Sequence, residues 1–209
     1  MIGLVLKDML LLKSKAKKIY FPVFLLAYVL GIFFFKEIGT IIINIITIFF
    51  SISLALPLFT EDAKDEWIYF SKTLPINMKD IVLSRYLSMF LILIAVSFLN
   101  LIIDIFVILV FSEGSFGVYI STIGLSILIS LLYMSLLIPS VYLAGINGSS
   151  IVFLILIGIF ALIQKTTKTS FFMSIVSISP YKMFLLALII VFAILVISYL
   201  ISCMILKKK

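Results

Sequence analysis

Few residues in this chain can do covalent or metal chemistry. Among 209 residues there is no histidine, and Cys203 is the sole cysteine. Histidine general bases, His/Cys zinc sites and disulfides within one chain are therefore excluded. Inside the long apolar runs there is one acid, Asp104, four residues after Asn100 and seven after Ser97, with Asn44 in an earlier run. That spacing places Ser97, Asn100 and Asp104 on one helical face. With no second acid nearby there is no acid and base pair, and no catalytic, cofactor-binding or metal-binding residue is assigned. The other polar concentration is the segment from Thr60 to Asp80, TEDAKDEWIYFSKTLPINMKD, which holds five of the nine acidic residues.

The elements that position these residues follow from composition. The chain is 65% hydrophobic and 12% charged, far from the roughly half apolar, quarter charged balance of a soluble domain. Six apolar runs stand out, at 19–35, 38–59, 81–111, 118–144, 149–163 and 183–206. At about 20 residues per crossing, they predict an all-α, polytopic membrane protein of one transmembrane domain with six transmembrane helices. With the N-terminus inside, 12 basic residues fall on the cytoplasmic side and 4 outside, so both termini are expected in the cytoplasm. The net charge of +7 then needs no nucleic-acid partner, because a basic inner face lies against anionic headgroups of the lipid bilayer.

Two further segments are expected. Residues 1–18 predict an interfacial amphipathic helix, with Lys7, Asp8, Ser14, Lys15 and Lys18 on one side and Ile2, Val5, Met9 and Leu12 opposite. Residues 164–181 carry Phe171, Phe172, Met173 and Ile175 but are too short to span. They fit an outer re-entrant hairpin or a loop collapsed on the bundle. Pro57, Pro139, Gly145 and Gly148 are read as marking helix ends and the turn between the fourth and fifth runs.

Within the cytoplasmic segment 60–80, Thr60 is placed to cap a helix whose first turn holds Glu61 and Asp62. Ala63, Trp67, Phe70 and Leu74 form an apolar stripe. Pro75 ends the helix, and Asn77 with Asp80 restarts the chain as the third run. One reading is a solvated loop anchored at the headgroups by Trp67 and Tyr69. The other is a docking knob for a soluble partner, with Trp67 as anchor and Glu61, Asp62, Lys64, Asp65, Glu66 and Phe70 around it. The intramembrane strip of Asn44, Ser97, Asn100 and Asp104 likewise reads either as a translocation path or dimer seam, or as hydrogen bonding that fixes packing.

The N-terminal Lys7 and Asp8, the six runs, and the stretch EDAKDEWIYFSKTLPINMKDIVLSRY with Leu74, Pro75, Arg85 and Tyr86 resemble the membrane subunits of type-2 ABC exporters. The likeness is strongest to small bacterial permeases that export peptides, including phenol-soluble modulins. The resemblance implies that the helix from Glu61 to Phe70 couples to a separate cytoplasmic ABC ATPase that binds ATP and Mg. It also implies a second copy of the chain or a similar permease, and a place in the bacterial cytoplasmic membrane. No G-x-x-x-x-G-K-[ST] occurs, so this chain has no phosphate-cradling loop of that kind and no cofactor of its own is expected. The expected function is export of amphipathic or hydrophobic cargo, peptides above all. The alternative is a non-transporting immunity or regulatory membrane protein that binds a peptide or partner.

Overall fold

The computed structural model describes residues 2–15, 39, 41–48, 56–64, 67–71, 73–111, 116–166 and 180–208. Every regular element among them is helical: α1 (Ile2–Lys15), α2 (41–48), α3 (Leu56–Lys64), α4 (Trp67–Ser71), α5 (Met78–Phe111), α6 (Phe116–Ala144), a single 3-10 turn (Gly145–Asn147), α7 (Gly148–Thr166) and α8 (Pro180–Lys208). Among the described residues three helices are long and apolar enough to cross a bilayer, over Met78–Val110, Phe116–Ala144 and Tyr181–Lys208, with a shorter apolar helix over Gly148–Gly158. These match the expected third, fourth, sixth and fifth runs. The expected first run and residues 167–179 of the outer segment lie outside the described residues. The second run is described only through α2 and the start of α3.

The 34 residues of α5 extend ~50 Å at 1.5 Å per residue, against a hydrocarbon core of ~30 Å. Its surplus turns fall at the N-terminal foot, where Lys79, Asp80 and Arg85 stand. The carbonyl of Asn77 opens this helix, accepting from the backbone of Asp80 at 2.9 Å.

Contacts divide the chain into two units, Met1–Ser130 and Leu131–Lys209. In the first, α1 packs on α5 and on α3, and α3 packs on α4. Leu58, Phe59, Val82, Met89 and Leu93 are buried there. In the second, the turn after α6 needs glycine twice. Gly145 sits at φ 66°, where side chains with a Cβ are strained, and a Cβ on Gly148 would collide with the backbone carbonyl of Ser140.

Pro139 lies inside α6, not at a helix end. Having no N–H, it leaves the carbonyl of Ser135 without its helical donor. The hydroxyl of Ser198 on α8 donates to that carbonyl, which is how a proline is accommodated where water is absent.

One further sequence expectation needs correction. Thr60 does not begin a helix: α3 starts at Leu56, and the Thr60 hydroxyl donates back to the carbonyl of Pro57 at 2.9 Å. The N-terminal helix forms over Ile2–Lys15, with one residue of its expected polar side turned inward. Asp8 is buried at 2% exposure, while apolar Ile2, Leu6 and Leu10 are exposed.

Candidate functional site

Arg85 is the only arginine in the chain, and at 2% exposure it is buried in the foot of α5. A charge in that position needs partners, since one left unpaired costs several kcal/mol, of order 3–5. It has two. One guanidinium nitrogen lies 3.0 Å from the Asp8 carboxylate of α1, and the other pairs with Asp62 of α3. The planar fork of arginine suits this bridge between two acids on separate helices, which a lysine cannot reproduce. The face of Phe59 lies 5.3 Å from the guanidinium carbon.

Each acid is held a second time. Ser88, one turn along α5, donates to Asp8 at 2.9 Å. Lys7 of α1 donates to Asp62 at 3.0 Å, and the same ammonium lies 3.6 Å above the centre of the Trp67 ring. Burial pushes the Asp8 carboxyl above its ordinary value of 3.8, and the opposing pull of Arg85 does not cancel it. The outcome is a knot of charge fastening α1, α3 and α4 to the foot of α5.

The knot fixes where the segment 60–80 presents itself. Asp62 faces inward, and Glu61 is engaged by Lys64 at 3.0 Å. Trp67 is half-buried beneath Lys7 and packs on Phe70, with ring centres 5.7 Å apart. The aromatic surface turned outward belongs to Tyr69 and Phe70, 66% and 54% exposed. Asp65 and Glu66 lie outside the described residues. Beyond α4, the Thr73 hydroxyl and N–H both bond the carbonyl of Phe70, closing the helix before Pro75.

A second polar cluster lies further along α5. The amide nitrogen of Asn44 donates to both oxygens of Asp104, at 3.0 and 2.8 Å. Asn100 donates to the hydroxyl of Thr47 at 2.7 Å. All four residues are buried, so α2 and α5 are joined by neutral donors around one carboxyl. Three of the four residues expected in an intramembrane strip thus come together. Ser97 is buried on the same helix, but its hydroxyl has no hydrogen-bond partner among the described residues.

The sequence reading did not pair Arg85 with Asp8 and Asp62, nor include Ser88 or Thr47. Signals existed: a sole arginine beside a long apolar run calls for acids, and Thr47 lies three residues from Asn44 on the same face. Among the described residues no group of acids or cysteine is arranged to hold a metal.

The family model described as "ABC-2 family transporter protein" matches residues 3–207. No curated protein and no solved structure matches the chain.

Proposed function

The chain belongs to the ABC-2 transporter family, and from that premise we propose that it is the membrane-spanning permease of an ATP-driven exporter, coupled through α3 and α4 to a separate ATPase. Family membership and the apolar helices make it a membrane-embedded transport component. The finer reading has six crossings, both termini in the cytoplasm of a bacterial cell, and a second permease copy as partner. ATP and Mg are held by the ATPase. The cargo is amphipathic or hydrophobic, as an apolar path with few charges would suit, and the choice of a peptide rests on the resemblance to peptide exporters.

One observation carries the coupling role. The segment that presents Tyr69 and Phe70 outward is fastened by buried charge to α5. A push on the exposed aromatic face therefore reaches α5 through Asp62 and Arg85 without first bending a loose loop. Glu61, Lys64, Asp65 and Glu66 supply the polar rim, and Trp67 backs the exposed pair. Asn44, Asn100 and Asp104 join α2 to α5, so that the two move together beside the cargo path or dimer seam; Ser97 faces the same seam.

The test is co-purification. Tyr69→Ala with Phe70→Ala should lose the ATPase while inserting into membranes at wild-type levels. Retention of the ATPase by that variant would refute the docking role.

A further inference from the structure

With five residues, Trp67–Ser71, α4 is little more than one turn, and a helix that short takes its direction from what packs on it. Trp67 and Ser71 stand at i and i+4 and so share a face. Ser71 is fully buried and Trp67 half-buried, while Tyr69 and Phe70 are exposed. The pose that presents the aromatic pair is therefore the pose that keeps Trp67 turned in. At the far end of α4 the backbone closes on itself, Leu74 donating to the carbonyl of Ser71 at 3.3 Å. At the near end the contact comes from another helix.

That contact is Lys7 of α1. Its ammonium lies 3.6 Å above the centre of the Trp67 ring and 3.0 Å from the Asp62 carboxylate of α3. A ring face and an opposite charge hold the same ammonium, which gives it one place and spares it the freedom of a solvated lysine. Its neighbour Asp8 pairs with Arg85 at 3.0 Å and accepts from Ser88 at 2.9 Å, anchoring this turn of α1 on α5. Two successive residues thus serve two elements: Asp8 holds the foot of α5, and Lys7 holds α3 and α4 in one relative pose. Resting on the docking role argued above, we propose that Lys7 is a positioning residue for it, whose ammonium on Trp67 keeps Tyr69 and Phe70 turned toward the ATPase. Through that contact α1 sets how tightly the ATPase is held.

Affinity set against stability tests this. The full chain in detergent and the ATPase recovered with it are separated and recombined. For each variant the dissociation constant, the unfolding midpoint of the permease alone and the quenching of Trp67 fluorescence by acrylamide are measured. Lys7→Gln should weaken ATPase binding about two- to fivefold, the worth of one part-exposed ion pair with one cation over a ring, and should make Trp67 easier to quench. Lys7→Arg keeps a cation for both the ring and Asp62 and should return both readings to wild type. In a Trp67→Leu background, Lys7→Gln should weaken binding no further. The proposal is overturned if Lys7→Gln lowers the unfolding midpoint but leaves the dissociation constant unchanged, if Lys7→Arg fails to restore affinity, or if Lys7→Gln acts as strongly without Trp67. Tyr69→Ala with Phe70→Ala, run alongside, separates the two readings. Should that variant keep the ATPase, the docking role itself falls; should it lose the ATPase while Lys7→Gln binds like wild type, only the role of Lys7 falls.

Discussion

The two buried polar clusters on α5 solve the same problem in opposite ways. At its foot, Arg85 is surrounded by Asp8, Asp62 and, behind them, Lys7, all charged. Nineteen residues on, ~28 Å along the axis, Asp104 meets among the described residues the amide of Asn44. The separation approaches the ~30 Å hydrocarbon thickness. The foot is held by a network of full charges, and the far end by neutral donors around a single carboxyl. The first cluster can therefore be broken by losing a cation. The second breaks only by losing a hydrogen bond.

The largest expected effect follows from that difference. Arg85→Ala leaves the buried Asp8 carboxylate without its cation and takes one of two cations from part-buried Asp62, and should destabilise the protein by about 3–5 kcal/mol, read as loss of monodisperse protein in detergent or a lowered unfolding midpoint. Arg85→Lys should restore only part of it, since one ammonium cannot reproduce the two-armed bridge. At the neutral cluster, Asn44→Leu leaves Asp104 without its donor and should cost about 1–3 kcal/mol. Asp104→Asn keeps an acceptor for Asn44 and should cost less. If Asp104→Asn proved as damaging as Arg85→Ala, the contrast between the clusters would fail.

Smaller effects sharpen the picture. Lys7→Gln removes a part-exposed ion pair and the cation above Trp67, and should cost about 0.5–1 kcal/mol. Because Trp67 is the chain's sole tryptophan, its fluorescence reports the change directly.

The smallest expected effect is a pH dependence. Asp8 has a carboxyl raised above 3.8 by burial, so the folded state binds its proton more tightly than the unfolded chain does. Its contribution to stability is full below 3.8 and fades as pH rises through the raised value. Unfolding midpoints measured across that range should therefore show a downward component with rising pH that Asp8→Asn abolishes, with Arg85, Lys7 and Asp62 left in place. An unchanged profile in Asp8→Asn would assign the dependence elsewhere.

The long helices were legible in the sequence, because an apolar run has only one economical structure in a bilayer. The runs beginning at Ile81, Val118 and Met183 start within three residues of the helices at Met78, Phe116 and Pro180. Partnerships were not legible. Asp8 and Ser88 are 80 residues apart, and Asn44 and Asp104 are 60 apart. Helical periodicity assigns a residue to a face but does not say which helix that face meets. The same gap explains α1, whose wheel separated polar from apolar residues but did not reveal that Asp8 turns inward to Arg85. Local chemistry misled at Thr60, a good capping residue that lies inside α3 and whose hydroxyl bonds the carbonyl of Pro57 in the preceding turn.

The central claim is that the aromatic face of α4 meets a nucleotide-hydrolysing partner. Disulfide cross-linking tests it most directly, using Phe70→Cys on a Cys203→Ser background in intact cells that carry the ATPase with cysteines introduced along its surface. The account predicts a cross-linked permease and ATPase pair, and no labelling of that position by a membrane-impermeant thiol reagent added outside. Labelling from outside, or no cross-link to any position on the ATPase, would contradict it.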